Sequence, residues 1–384
     1  MPADVYEQLL KIPPAQLVEL ALAGLGRQGR MVAQVLESVQ SQLGNVVDAA
    51  RAERIYLVGC GDSFFAALSA RHAFEQLTGL PTLASESMEL AHYTLLPSNS
   101  LVIVISSTGE VARTLEAGRI ARQAGCDVIG VTAQKGSRLT QEFPCLVAIP
   151  DLAEGNHVDQ AALILGNFSF SLAALYQVAI HIGRHRSHLK QPMGEIEAEM
   201  KAVPQAIAET IHHSAAIRAY LDGVSDEADF YFLGAGPSYG VALFYQAKFF
   251  EQARRPVYGV ELEEFAHEQF SLLRPGQDAQ VWFIVPQGRS QGRALEIMAS
   301  CQEMGARVIA VSTRGGQLQG NADLTFSTEA VSEMFSPLVS VVPGELFGIH
   351  AFARWGSEPF FASSRDRQVM VGRRLTRERV EETK

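Results

Sequence analysis

RIYLVGCGDS (residues 54–63) and DFYFLGAGPS (residues 229–238) share one plan: an apolar run stops at a glycine, a second glycine follows two residues on, and a serine two residues after that. A short apolar run closed by glycine and serine reads as a buried parallel strand feeding the start of a helix. Working outward from the first, LVIVISSTGE (101–110), DVIGVTAQ (127–134) and CLVAIP (145–150) are further strand candidates. The helical patterns FFAALSARHAFEQL and VARTLEAGRIARQAG lie between them. Around the second, AQVWFIVPQGRS (279–290), RVIAVSTRGG (307–316) and LTFSTEA (324–330) alternate with FYQAKFFEQ and RALEIMASCQEMG. Strand and helix in alternation predict open parallel sheets with helices on both faces, an α/β protein with two tandem doubly wound domains.

The two halves match residue by residue. A shift of 175 lays Gly59, Gly61 and Ser63 on Gly234, Gly236 and Ser238, Pro81 on Pro256, and ELAH (89–92) on EFAH (264–267). A later shift of 180 lays AGCDVIGVT on MGARVIAVS, so about five extra residues enter the second half near RPGQDA. This is an internal duplication. It divides the chain into a helical N-terminal segment (1–52), a first domain (53–181), a helical linker (182–227), a second domain (228–356) and a tail (357–384).

Composition narrows the function. With 384 residues, 47% apolar and 19% charged, the chain can build a large core. A net charge of −10 argues against nucleic acid and anionic membrane, because an extended phosphate surface needs clustered Lys and Arg. Cys60, Cys126, Cys145 and Cys301 show neither paired nor dense spacing, so neither a zinc site nor a disulfide framework is expected, and no metal or cofactor is expected. The start MPADVYEQLLK lacks a basic and apolar leader, and no uninterrupted apolar stretch near the about 18 residues of a membrane helix is apparent. A cytoplasmic protein is expected.

Ligands of open parallel sheets sit beyond the carboxyl ends of the strands. Two such ends in the first half are rich in hydroxyls: GCGDS, with Gly61 and Ser63, and SSTGE, with Ser106, Ser107, Thr108 and Gly109. Hydroxyls and free backbone N–H groups at a helix start make a compact anion site that fits a phosphomonoester. GCGDSF is not the dinucleotide fingerprint, since Phe64 stands where its third glycine would be.

These residues resemble the double sugar-isomerase-domain family, flavodoxin-like in fold, over nearly the whole chain. GCGDS is similar to that family's GCGTS, SSTGE to its SQSGE, and Glu251 is followed sixteen residues later by His267, as a glutamate and a histidine are there. The resemblance implies that Ser63, Ser106, Ser107 and Thr108 hold a sugar 6-phosphate. It implies that Glu251 shuttles a proton between C1 and C2 of the opened sugar, and that His267, reaching over from a partner subunit in a homodimer, assists ring opening. Lys248 matches a family lysine one helical turn from Glu251. In the first half the position of Glu251 is Gln76, which cannot act as a base, so His92 reads as structural. Most of the glutamates around His267 are expected to have no catalytic role, and Glu264 is expected to cap or orient the turn.

The departures concern the substrate. Val111 stands where the family has threonine, Ser107 where it has glutamine, VDQAA (158–162) replaces a sugar-contacting run, EQFS replaces a glycine and proline after the histidine, and the tail's only lysine is Lys384. An amidotransferase domain is not expected ahead of the first half. The reading is therefore a deaminase or deglycase of an amino-sugar or ketoamine 6-phosphate, or an aldose–ketose isomerase, working through an enediol or enolamine without glutamine amidotransferase activity. The competing reading is an inactive sugar-phosphate-binding regulatory protein.

Overall fold

The computed structural model describes residues 12–46, 49, 51–151, 156–186, 189, 191–318, 320–356 and 374–377. Most of the tail, including Lys384, and the first eleven residues lie outside the described residues. The chain divides into two compact units, one containing residues 31–197 and the other residues 14–30 and 198–356.

In the first unit, the strands are β1 (Arg54–Gly59), β2 (Thr82–Glu86), β3 (Ser100–Ile105), β4 (Asp127–Thr132) and β5 (Cys145–Val147). They form a wholly parallel sheet of order β2-β1-β3-β4-β5. The register sets Val58 beside Val104 and Ile105 beside Val131. β1 and β3 are buried almost throughout, which is why both read as continuous apolar runs. One face packs Tyr56, Val58, Val102 and Val104 against Leu115, Ala117 and Ala121 of α5 (Ala112–Gln123) and against Leu139 and Phe143 around α6 (Arg138–Glu142). α3 (Asp62–Thr78) packs along α7 (His157–Arg184). α4 (Ser87–Tyr93) follows β2 directly, and α2 (Gln28–Val46) joins this unit from Met31 on.

α7 is the longest apolar helix among the described residues. One of its 18-residue windows is apolar enough to cross a membrane by length and composition, and 72% of it is buried inside the protein. Polar residues interrupt the run, including Ser169, Ser171 and Gln177, and these too are buried. It is the core helix of the unit.

The second unit repeats the plan with β6 (Asp229–Gly234), β7 (Tyr258–Glu261), β8 (Ala279–Ile284), β9 (Arg307–Thr313) and β10 (Leu324–Thr328), in the order β10-β9-β8-β6-β7. Read from the other edge, this is the order of the first sheet. One face carries Tyr231, Leu233, Val281 and Phe283, packed on Ala294, Ile297, Met298 and Cys301 of α12 (Gln291–Glu303). The opposite side is aromatic. Phe249 of α10 (Pro237–Ala253) stacks on Phe347 of α13 (Pro337–Trp355) at 5.3 Å, and Trp282 meets Phe347 at 5.1 Å. Each such pair adds about 0.5–1.5 kcal/mol beyond the area it buries. α1 (Pro14–Leu25) and α9 (Ser214–Asp222) also pack on α13, and the buried Gln28 donates from Nε2 to the buried Glu345 Oε1 at 2.7 Å. From Ala198, α8 (Met193–Thr210) belongs to this unit.

Two strands, β2 and β7, carry no apolar run and are not predicted from the sequence. Each lies at a sheet edge and is only partly buried, so the sequences TLASE and YGVE satisfy one neighbour and solvent rather than two neighbours.

Candidate functional site

In the strand order 2-1-3-4-5, the connections from adjacent strands 1 and 3 leave in opposite directions, opening a crevice beyond their carboxyl ends. In the first unit that crevice is bordered by the two hydroxyl-bearing turns, because β1 and β3 are hydrogen-bonded neighbours. Gly61 has φ +55 and ψ −130, a conformation open to glycine, and turns the chain so that Ser63 sits in the first turn of α3. Ser63 is buried, and its N–H bonds the Cys60 carbonyl at 3.3 Å. Cys60 is exposed.

The turn after β3 is tied at several points. Ser106 is buried, and its Oγ accepts the Gly109 N–H at 3.1 Å. The Ser107 carbonyl accepts the Ala133 N–H at 3.0 Å, and Thr108 Oγ1 accepts the Glu110 N–H at 3.3 Å. Gly109 has φ +65, and a Cβ there would lie 2.1 Å from Ser137 Oγ. Ser106 therefore shapes the turn and retains a hydroxyl proton to donate, while the half-buried Ser107 and Thr108 are the more accessible hydroxyls. The buried Thr114 and Ser87 share a hydrogen bond of 3.0 Å, and Thr114 Oγ1 lies 3.9 Å from Cys60 Sγ. The sequence gives no sign of this pair, because strand pairing and helix placement alone bring the two hydroxyls together.

The equivalent crevice of the second unit is furnished differently. The turn after β8 reads VPQGR, and its Arg289 N–H is bonded to Glu333 Oε1 at 3.1 Å. A Cβ on Gly288 would lie 2.2 Å from the same oxygen. A protein carboxylate already occupies this turn.

The second unit holds the acid/base candidates. Glu251 is on the last turn of α10, half-buried, with Lys248 Nζ 2.6 Å from its Oε2. Lys248 also lies over the Phe244 ring, 4.9 Å from its centre. In the first unit, Ala73 and Gln76 occupy the corresponding positions. His267 ends α11 (Leu262–His267), and its Nε2 is 3.2 Å from Glu263 Oε1, so within one chain it is paired with Glu263 and not with Glu251. Glu263 is clasped by Arg293, whose guanidinium hydrogen bonds hold the Glu263 carboxyl below the usual range. The capping role expected of Glu264 belongs to Glu261: its carboxylate accepts the N–H groups of Glu263 at 2.7 Å and Glu264 at 3.2 Å. Burial, with Glu261 and Glu264 adding to it, raises the pKa of Tyr239 beside this helix. His92 meets Glu116 at 3.3 Å. Among the described residues no group of His, Cys, Asp and Glu side chains is arranged to hold a metal ion.

The SIS domain pattern matches residues 49–180 and 224–354, which takes in both sheets. Among curated relatives, the isomerizing glutamine–fructose-6-phosphate aminotransferase of Tropheryma whipplei is 27% identical over 353 residues, covering 89% of this chain and 54% of that protein. The enzyme of the same name from Thermococcus kodakarensis is 26% identical over 331 residues, covering 85% and 52%. The chain thus spans about half the length of the curated relatives it matches. Among solved structures, the C-terminal domain of the Francisella tularensis glucosamine-fructose-6-phosphate aminotransferase superposes with a TM-score of 0.76 at 18% identity, covering 89% of this chain and 97% of that one. Glucosamine-6-phosphate deaminase from Thermotoga maritima gives 0.65 at 20%, covering 88% and 96%. Tagatose-6-phosphate ketose/aldose isomerase from Escherichia coli gives 0.71 at 16%, covering 91% and 97%. What these three share with the chain is the fold.

Proposed function

As the chain belongs to the SIS domain family, we propose that it converts an amino-sugar or ketoamine 6-phosphate, with Ser63, Ser106, Ser107, Thr108 and the backbone of Gly61 and Gly109 receiving the phosphate. Glu251 is the proton shuttle and His267 the group that opens the sugar ring. In the opened sugar, the Glu251 carboxylate takes the proton from the carbon beside the carbonyl or imine. The C–H electron pair becomes the C=C bond of an enediol or enolamine, and the carbonyl oxygen or imine nitrogen takes the displaced pair. Returning the proton to the neighbouring carbon completes an aldose–ketose exchange. Where nitrogen is on the shifted carbon, the product is an imine that water splits to ammonia or a free amine and a sugar phosphate. This reading makes the protein a deaminase or deglycase in preference to a simple isomerase, because VDQAA, Val111 and EQFS depart from the aminotransferase pattern in the sugar-contact regions.

The observation that carries the proposal is the Lys248–Glu251 pair. A carboxylate held by an ammonium at 2.6 Å is aimed, which a base requires, and Gln76 at the equivalent position of the other repeat means that the fold does not need it. The Glu333 cap in the second unit supports assigning the phosphate to the first.

The protein is incubated with a panel of 6-phosphorylated amino sugars and ketoamines, and released amine and sugar phosphate are measured. Glu251→Gln is expected to lower turnover by at least about 10²-fold while phosphosugar binding, followed by calorimetry, persists. Full activity in this variant refutes the proposal, and tight binding with no turnover by the unaltered protein supports the regulatory reading instead.

A further inference from the structure

The glutamates around His267 look alike in sequence, but the structure separates one from the rest. We propose that Glu263, gripped by Arg293, is a positioning residue that fixes which nitrogen of His267 exchanges protons with the sugar; this rests on the ring-opening role given to His267 above. Glu263 and His267 are four residues apart on α11, so their side chains lie on one face. Glu263 Oε2 is 2.7 Å from Arg293 Nε and Oε1 is 3.0 Å from Arg293 Nη2, a two-point fork. Arg293 Nη1 is held at 2.7 Å by Glu296, so the guanidinium is anchored on α12. Glu261 caps the start of α11 and fixes the backbone from which Glu263 projects.

An ionised carboxylate can only accept. The 3.2 Å contact therefore requires His267 Nε2 to carry the proton, and neutral His267 presents Nδ1 as its free lone pair. Without Glu263 the exposed imidazole would rotate and divide itself between tautomers, and part of the population would present an N–H in place of the lone pair that takes the anomeric hydroxyl proton as the ring C–O bond breaks and water protonates the ring oxygen.

The other repeat reaches a related arrangement from a different helix. Arg113 and Glu116 stand where Arg293 and Glu296 do, and they are ion-paired, but Met88 occupies the position of Glu263. There His92 Nε2 rests against Glu116 at 3.3 Å. In both repeats a carboxylate paired with an arginine faces the histidine Nε2, and in the second it comes from the histidine's own helix.

The test compares Glu263→Ala, Glu263→Gln, Arg293→Ala and His267→Asn. Side-chain nitrogen chemical shifts of His267 report the tautomer. The ratio of turnover on a ring-closed ketoamine 6-phosphate to that on its 5-deoxy analogue, which stays open because O5 is absent and O6 is phosphorylated, reports ring opening. Glu263→Ala is expected to erase the Nε2–H preference and lower that ratio about five-fold, through kcat rather than KM, the size of an exposed but well-formed ion contact. Glu263→Gln, which still accepts a hydrogen bond, restores part of it, and Arg293→Ala with Glu263→Ala costs less than the sum of the two. Unchanged shifts and an unchanged ratio in Glu263→Ala, with His267→Asn impaired, overturn the positioning role alone. An unimpaired His267→Asn removes the histidine's role and this inference with it.

Discussion

Lys248 Nζ and Glu251 Oε2 lie 2.6 Å apart, one helical turn from each other at the end of α10, with side-chain exposures of 15% and 27%. Partial burial makes the contact stronger than a surface pair, for which about 0–1 kcal/mol is usual. Its chemical consequence is orientation: the base candidate is held in one place when substrate arrives.

Replacing Lys248 by Met keeps the packing on Phe244 and removes the charge. Turnover is expected to fall about 10- to 100-fold, the penalty of a mispositioned group, with Lys248→Arg losing less. Steady-state rates at matched phosphosugar occupancy check this, and equal rates for the Met and Arg variants would show that the ammonium does not orient Glu251.

Gly109 and Gly61 both have positive φ, yet they differ in surroundings. A Cβ at Gly109 overlaps Ser137, whereas nothing lies within 4 Å of one at Gly61. Gly109→Ala is therefore expected to cost about 2–4 kcal/mol, left-handed strain plus overpacking, and Gly61→Ala about 1–3 kcal/mol from strain alone. Denaturant unfolding gives the order, and phosphate binding should weaken in both.

Arg254, which ends α10, is the non-glycine residue with positive φ among the described residues, at φ 54 and ψ 36. Gly79 holds the same left-handed position in the first repeat. Arg254→Gly is expected to stabilise the second unit by about 0.5–1 kcal/mol, since glycine carries no left-handed penalty. A fall in melting temperature would contradict this.

Burial depresses the pKa values of His213 and His350, with Arg218 also lowering that of His350. The folded protein therefore binds fewer protons at these sites than the unfolded chain, whose histidines titrate near about 6.5. Their contribution to stability is complete above that pH and is lost as pH falls from it toward the lower folded values. Melting temperature should drop on acidification below pH about 6.5, with a shallower slope in His350→Gln, where Ser214 keeps a hydrogen-bonding partner. Identical slopes would show that His350 is protonated in the fold.

Both sheets are legible in the amino-acid sequence, because Ile55–Val58 and Val281–Ile284 lie in strands buried on two faces, and such strands must be continuous apolar runs. The repeat then sets GCGDS beside GAGPS, and Glu251 and His267 against Gln76 and His92, so the chemical asymmetry between the halves is also written in the residues. The edge strands β2 and β7 escape notice because half-exposed strands need no apolar run. The apolar character of α7 is hidden by its scattered serines and glutamine, which only a packed core reveals as interior residues.

What tertiary structure alone decides is partnership. VELEEFAHEQF contains four carboxylates near one histidine, and no spacing rule tells that Glu261 caps the helix while Glu263 touches His267. Those roles depend on Arg293, thirty residues away in sequence and brought close by the β8–α12 connection. Likewise Ser87 meets Thr114, and Glu333 reaches the turn after β8, through strand order. Periodicity and composition determine which elements form, since burial acts on each segment by itself. Hydrogen bonding between distant side chains acts only after the sheets have ordered the loops, and that ordering separates the glutamates that sequence leaves equivalent.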